Sequence, residues 1–278
     1  MVFKVPAESW IEAMNETLAS EGLIPERRPM EAYRRWCLES RQSISFGGEA
    51  TQVIGDWFAR NTTYGHHVRQ PFARTAFYWD MCFLEVGLPL VYGSPQINPF
   101  ALFRNVPVNV VQRLARSSSS DEYIGHFEKA YGIFVMEENI RRINEDGLSP
   151  AVQFVIAASR HLASATAALL GSPPSPKALE DSRLAVEIAI KAVLILKFGY
   201  TDSMLQKQFR HGLGLLRDEL LKVKPDLDFT EADLAVYPEI SARYGDIAED
   251  RDRLWKGYAL AVSIVATGFE IIQDEMLG

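Results

Sequence analysis

Apolar residues recur at helical spacing through successive segments from Pro150 to Met276. A chain patterned this way buries its stripes only by packing helix against helix. Pro150 opens the first helix, and the Gly171-Ser-Pro-Pro-Ser-Pro176 turn ends it. Ser175 is read as N-cap, with Pro176 at the first helical position, of a second helix running to Phe198 and stopped by Gly199. Thr201 or Asp202 caps a third helix to Lys222, in which Phe209, Leu213, Leu216 and Leu220 form the buried stripe. Thr230-Glu-Ala-Asp233 is a capping signature ahead of a short helical piece at residues 237–244. A final helix from Glu249 to Met276 carries Leu254, Tyr258, Ala261, Val265, Gly268 and Ile272 on one seam.

The first half reads as further helices. Ser9-Trp-Ile-Glu12 is a capping box, followed by helices over Pro29–Ser40, Glu49–Arg60, a buried one over Pro71–Val86, and Asn109–Arg116. Between Gly87 and Pro107 the prolines and glycines are dense enough to predict an irregular crossing. A second capping box, Ser119–Glu122, opens a helix to Glu138, and a charged helix follows to Gly147. No alternation long enough for a sheet is visible. The expected fold class is therefore all-α: a helical bundle over 150–278, joined at 147–150 to an N-terminal region, 1–149, of additional helices.

Composition limits the function. The 278 residues are 47% hydrophobic with a formal net charge of -7, so the chain can bury a large core and lacks the overall basic footprint of a strong nucleic-acid binder. The N-terminus has no signal-peptide core, and the longest apolar run, 184–200, contains Glu187, Lys191 and Lys197, so a cytoplasmic protein without membrane spans is expected. Cys37 and Cys82 form no metal-ligand cluster and are read as buried small apolar residues. No phosphate-cradling glycine loop, zinc motif or nucleophile elbow is present, and no cofactor or metal is expected. Glu137-Glu138 and Glu249-Asp250 are read as solvated faces, the Arg27-Arg28 and Arg34-Arg35 doublets as surface ion pairs, and His126 as structural.

Certain polar residues stand out in the apolar pattern. Ala185-Val-Glu187-Ile-Ala-Ile-Lys191-Ala192, the His211-Gly-Leu213-Gly-Leu-Leu216 ladder, Tyr237-Pro-Glu-Ile-Ser-Ala-Arg243-Tyr244 and the long closing helix together resemble the HEPN superfamily of helical bundles. The resemblance covers residues 150–276. It marks Glu187, Lys191, His211, Arg243 and Tyr244 as the residues that carry the HEPN-like structure. It implies a homodimer formed through the bundle, RNA, nucleotides or a partner protein as ligand, and a setting in antiviral defence or a toxin-antitoxin pair.

Members of the family that cut RNA resemble one another in an arginine followed, after four to six residues, by a histidine, acting without metal. The guanidinium holds the scissile phosphate and the imidazole moves a proton. Within 150–278 the histidines are His161 and His211, each directly preceded by an arginine, Arg160 and Arg210. Neighbours on a helix point about 100° apart, so neither pair converges on one phosphate, and the bundle is expected to be non-catalytic.

The spacing does occur in Arg60-Asn61-Thr-Thr-Tyr64-Gly-His66-His67, which makes Arg60, Asn61, His66 and His67 the candidate catalytic residues of a metal-independent endoribonuclease. Its surroundings, 57–120, hold six arginines against two acids, Asp80 and Glu85, interleaved with aromatic rings. Arginine with aromatics grips single-stranded nucleic acid by phosphate pairing and base stacking. Arg69, Arg74, Arg104, Arg113, Arg116 and Tyr64 are accordingly candidate binding residues. Three functions stay open: a HEPN-like module binding RNA, a nucleotide or a partner protein; the endoribonuclease; and a helical enzyme whose aromatic segment lines a pocket for a small apolar substrate.

Overall fold

The computed structural model describes residues 5–42, 49–62, 73–89, 97–143, 148–238 and 250–277. The chain divides into two compact units, Met1–Phe72 with Pro89–Ile97, and Ala73–Leu88 with Asn98–Gly278. The boundary expected at 147–150 instead falls inside the second unit.

In the first unit α1 (Glu8–Ser20), a 3₁₀ turn (Pro25–Arg27), α2 (Arg28–Ser40) and α3 (Glu49–Asn61) close around Ile11, Leu18, Tyr33, Ile54, Trp57 and Phe58. Cys37 is buried with them. The capping box expected at Ser9 is absent: α1 begins at Glu8, and its N-cap, Ala7, has no side chain with which to cap. The arginine doublet of α2 is tied down as expected, with Arg34 and Arg35 on Glu31 and Arg35 also on Glu21.

The second unit begins with a correction. Residues 73–86, expected as part of a buried helix over Pro71–Val86, belong instead to an antiparallel hairpin, β1 (Ala73–Trp79) and β2 (Cys82–Leu88). Asp80 and Met81 form its two-residue loop with φ of 52° and 62°, the left-handed geometry that matches the twist of paired strands. Tyr78 opposes Phe83 across the ladder, their rings 5.0 Å apart. Thr75, Ala76 and Phe77 are buried in succession, so both faces of β1 are covered and the period-2 alternation is erased. Cys82, expected to be buried, is exposed on β2.

Of the Pro/Gly-rich stretch, 90–96 lies outside the described residues. Pro99–Leu102 makes a 3₁₀ turn and Phe103 bridges to Val86. Then come α4 (Val108–Ala115) and α5 (Ser120–Ile143), one continuous helix where two were expected. The bundle proper adds α6 (Pro150–Leu169), α7 (Lys177–Phe198) and α11 (Arg251–Leu277), with the shorter α8 (Asp202–Gln208), α9 (Leu213–Val223) and α10 (Glu231–Leu234) between the last two. Among the described residues the structure is mainly helical, with eleven α-helices and one hairpin.

Local signals explain most boundaries. Ser149 accepts from the Val152 amide and Pro150 sits at the first position of α6. Gly199 ends α7 in the left-handed conformation, φ 65°. Pro176, rather than Ser175, occupies the N-cap of α7. The Thr230/Asp233 capping box forms, but it caps the four-residue α10. Residues 239–244 of the helical piece expected after it lie outside the described residues.

The third predicted helix is two. α8 stops at Gln208, Arg210 takes a positive φ of 48°, and α9 restarts at Leu213. The stripe survives the break, with Phe209, Leu213, Leu216 and Leu220 all buried.

α7 is enclosed almost all round by α6, α9 and α11. On α11 the expected seam is buried, and Gly257 allows a closer approach than the pattern suggests: a Cβ there would stand 2.5 Å from Leu179 Cδ2. α11 is long and apolar enough to cross a membrane, yet 72% of its apolar window is buried within the protein, as in a core helix.

Candidate functional site

Three polar residues of α7 lie four positions apart, Arg183, Glu187 and Lys191, and so share one helix face. All three reach the turn between α8 and α9. Lys191 Nζ donates to Glu187 Oε1 at 2.6 Å and to the Arg210 carbonyl at 3.0 Å. Arg183 donates to the His211 carbonyl at 2.7 Å, with its other terminal nitrogen 3.6 Å from Glu187 Oε2. The turn is thus strapped to α7 by its own backbone oxygens.

His211 completes the cluster. Its Nδ1 lies 3.0 and 3.2 Å from the two Glu187 oxygens. The carboxylate is 4% exposed and the imidazole 57%. A carboxylate oxygen accepts, so Nδ1–H is directed at Glu187, and Nε2 lies on the far, exposed edge of the ring. Arg183, Lys191 and the exposed Arg210 all meet at this turn. The turn thus presents an imidazole whose orientation is set by Glu187, beside the exposed Arg210.

Glu187, Lys191 and His211, marked out by the sequence, therefore meet. Arg243 and Tyr244 lie outside the described residues. The reason for setting aside Arg210 and His211 as a pair does not hold locally, because they sit on a non-helical turn. His161 is on α6, 3.6 Å from Asp181.

The other candidates are dispersed. Arg60, in the first unit, is exposed and 2.8 Å from Glu8. Asn61 donates to the Trp57 carbonyl and closes the end of α3. Tyr64, His66, His67 and Arg69 lie outside the described residues.

In the second unit Arg74 stands 3.7 Å from Glu85, while Arg113 is 2.7 Å from Asp80 and 5.2 Å from the centre of the Trp79 ring. The two acids of the 57–120 segment are thus both engaged by its arginines. Arg104 donates its backbone amide to Glu85, and Arg116 is exposed at the end of α4.

A second polar constellation escaped the sequence reading. Thr75 on β1, His126 on α5, Thr166 on α6 and Tyr258 on α11 form one buried chain: His126 Nε2 to Thr75 Oγ1 at 3.0 Å, Thr75 to Tyr258 Oη at 2.8 Å, and Tyr258 to Thr166 Oγ1 at 2.6 Å. Burial lowers the His126 pKa to about 3, against an opposing contact with the Ala76 backbone, and burial raises that of Tyr258. The only signal in the sequence was the polarity of His126 between apolar neighbours. Among the described residues no three His, Cys, Asp or Glu side chains are grouped to hold a metal ion.

The fold and these sites define a mainly helical protein whose larger unit is a bundle carrying a hairpin. No protein-family profile, no curated protein and no solved structure matches the chain.

Proposed function

We propose that the bundle is a HEPN-like module that binds RNA or ribonucleotides at the Arg210–His211 turn. The observation that carries this reading is the fixing of an exposed imidazole by a buried carboxylate, on a turn whose neighbouring residue is the exposed Arg210. Arg210 supplies a permanent charge for a phosphate, and His211 Nε2 accepts a proton from a ribose hydroxyl or, once protonated, donates to a phosphate oxygen. Homodimerisation through the bundle and a role in defence or a toxin-antitoxin pair belong to the same reading and rest on the family resemblance.

The test is fluorescence anisotropy of a labelled single-stranded oligoribonucleotide in EDTA across a salt series. Binding that weakens as salt rises, and that is lost in Arg210→Ala/His211→Ala but kept in Arg104→Ala/Arg113→Ala/Arg116→Ala, is expected. Absence of binding at low salt, or loss only in the second variant, would overturn the assignment to this turn. Shortening of the RNA by wild type, abolished in Arg60→Ala/His66→Ala/His67→Ala, would replace it with the metal-independent endoribonuclease.

A further inference from the structure

A pocket of about 100 Å³ opens within the second unit, between the hairpin and helices α5, α6 and α11. Arg74 and Ala163 are exposed at its mouth, while Thr75, Thr166 and Tyr258 at its floor are almost fully buried. Most of the wall is hydrocarbon, from Leu88, Ala130, Ile133, Phe134, Leu162 and Val262.

The polar side chains of the lining are engaged within the protein. Thr75 Oγ1 lies 3.0 Å from His126 Nε2 and 2.8 Å from Tyr258 Oη, and Thr166 Oγ1 lies 2.6 Å from Tyr258 Oη and 2.9 Å from the Leu162 carbonyl oxygen. Each of these three hydroxyls therefore has two partners, whichever way its proton points. Ser159 Oγ is 2.5 Å from Glu137 Oε2 and 2.8 Å from the Ile156 carbonyl oxygen, so Glu137, expected on a solvated face, stands half-buried in the lining with its carboxylate engaged. Arg74 is 3.7 Å from Glu85 at the mouth.

An ion entering such a pocket gives up its hydration and must break an existing contact to be paired. Water gains little there for the same reason, since a buried water needs two to four polar partners. A hydrocarbon needs none, and seating it takes both its own surface and the apolar wall out of water. We propose that this pocket binds a small uncharged ligand with a compact hydrocarbon body, seated against Ile133, Leu162 and Val262. A closed apolar cavity of about 150 Å³ holds benzene, so a smaller pocket open at one side takes a single ring or branched chain of about six carbons, part of it in the mouth. The site is distinct from the turn at Arg210–His211 and stands or falls independently of RNA binding.

Calorimetric titration of the full chain with toluene, benzylamine and benzoate, which share one ring and differ in charge, tests this. Toluene is expected to bind about tenfold or more tightly than either ion and to raise the thermal midpoint. Ala163→Phe, at the exposed mouth, is expected to abolish both effects while leaving the midpoint without ligand near wild type. Ile133→Ala, which widens the pocket, is expected to bind propylbenzene more tightly than wild type does, a change of size preference that a loss of stability alone would not produce. No binding of toluene at millimolar concentration, equal or tighter binding of either ion, or binding indifferent to both substitutions would each overturn the proposal.

Discussion

The Glu187 carboxylate, almost wholly enclosed by the bundle, lies 3.0 Å from Nδ1 of His211, a residue 24 positions later on a turn that interrupts the α8–α9 stripe. The same carboxylate is 2.6 Å from Lys191 and 3.6 Å from Arg183, side chains that are 11% and 10% exposed.

Glu187→Gln keeps the shape and removes the charge that pairs with the buried Lys191 ammonium at 2.6 Å. Breaking a buried pair in this way costs about 3–5 kcal/mol, whereas His211→Ala, at an exposed ring, should cost less than about 1 kcal/mol. Urea denaturation of the two variants checks the ordering. Similar losses in both would mean that solvent, rather than Glu187, neutralises the cluster.

These residues were legible because Glu187 and Lys191 are charges on an otherwise apolar helix, a departure that periodicity exposes. The helix boundaries at Pro150 and Gly199 were legible for a related reason, since proline and glycine act there through local backbone geometry. The hydroxyl chain was not. Thr75 and Tyr258 are 183 positions apart, and threonine and tyrosine are unremarkable in a strand or helix, so nothing local marks their meeting. The hairpin was hidden because burial on both faces of β1 removes alternation and Asp80-Met81 is not a usual loop pair. The break at residues 209–212 was hidden because the apolar stripe continues through it. Glu137, expected on a solvated face, is half-buried and accepts from Ser159 Oγ at 2.5 Å, a contact that only tertiary packing makes.

His126 should make stability depend on pH. In the folded protein burial keeps its ring neutral down to about pH 3, while in the unfolded chain it takes up a proton below its ordinary value of 6.5. Stability from this residue is complete above pH 6.5 and falls as pH drops toward 3, with a slope of up to about 1.4 kcal/mol per pH unit. The difference in unfolding free energy between wild type and His126→Gln, measured from pH 7 to pH 4, should shrink as the solution becomes more acidic. A pH-independent difference would show that the unfolded and folded states hold this proton equally.

The hairpin loop carries strain that glycine would remove. Met81 is exposed and has φ 62°, where a side chain costs about 1–2 kcal/mol and glycine almost nothing. Glycine gives back part of this through the freedom of the unfolded chain, so Met81→Gly is expected to stabilise by about 0.5–1 kcal/mol. Thermal unfolding reports the sign directly. A destabilised variant would contradict the left-handed loop and with it the register that pairs Trp79 with Cys82.

Two glycines of α11 should respond oppositely to alanine. At Gly268 a new Cβ would meet Ala189 Cβ and O at 3.6 Å and Val155 Cγ2 at 3.7 Å, ordinary contacts. Replacing a helix-interior glycine there should stabilise by about 0.5–1 kcal/mol. At Gly257 the same atom would stand 2.5 Å from Leu179 Cδ2 and 3.3 Å from Tyr237 Cε1. Leu179 is fully buried, and Tyr237 is held by its hydroxyl on the Gly257 carbonyl at 2.7 Å, so neither can retreat without opening the α7–α11 contact. Overpacking of this kind costs about 1–3 kcal/mol, which outweighs the helix gain and predicts a net loss for Gly257→Ala. Chemical denaturation of both variants resolves the contrast, and a stabilising Gly257→Ala would mean that α11 packs further from α7 than the 2.5 Å approach requires.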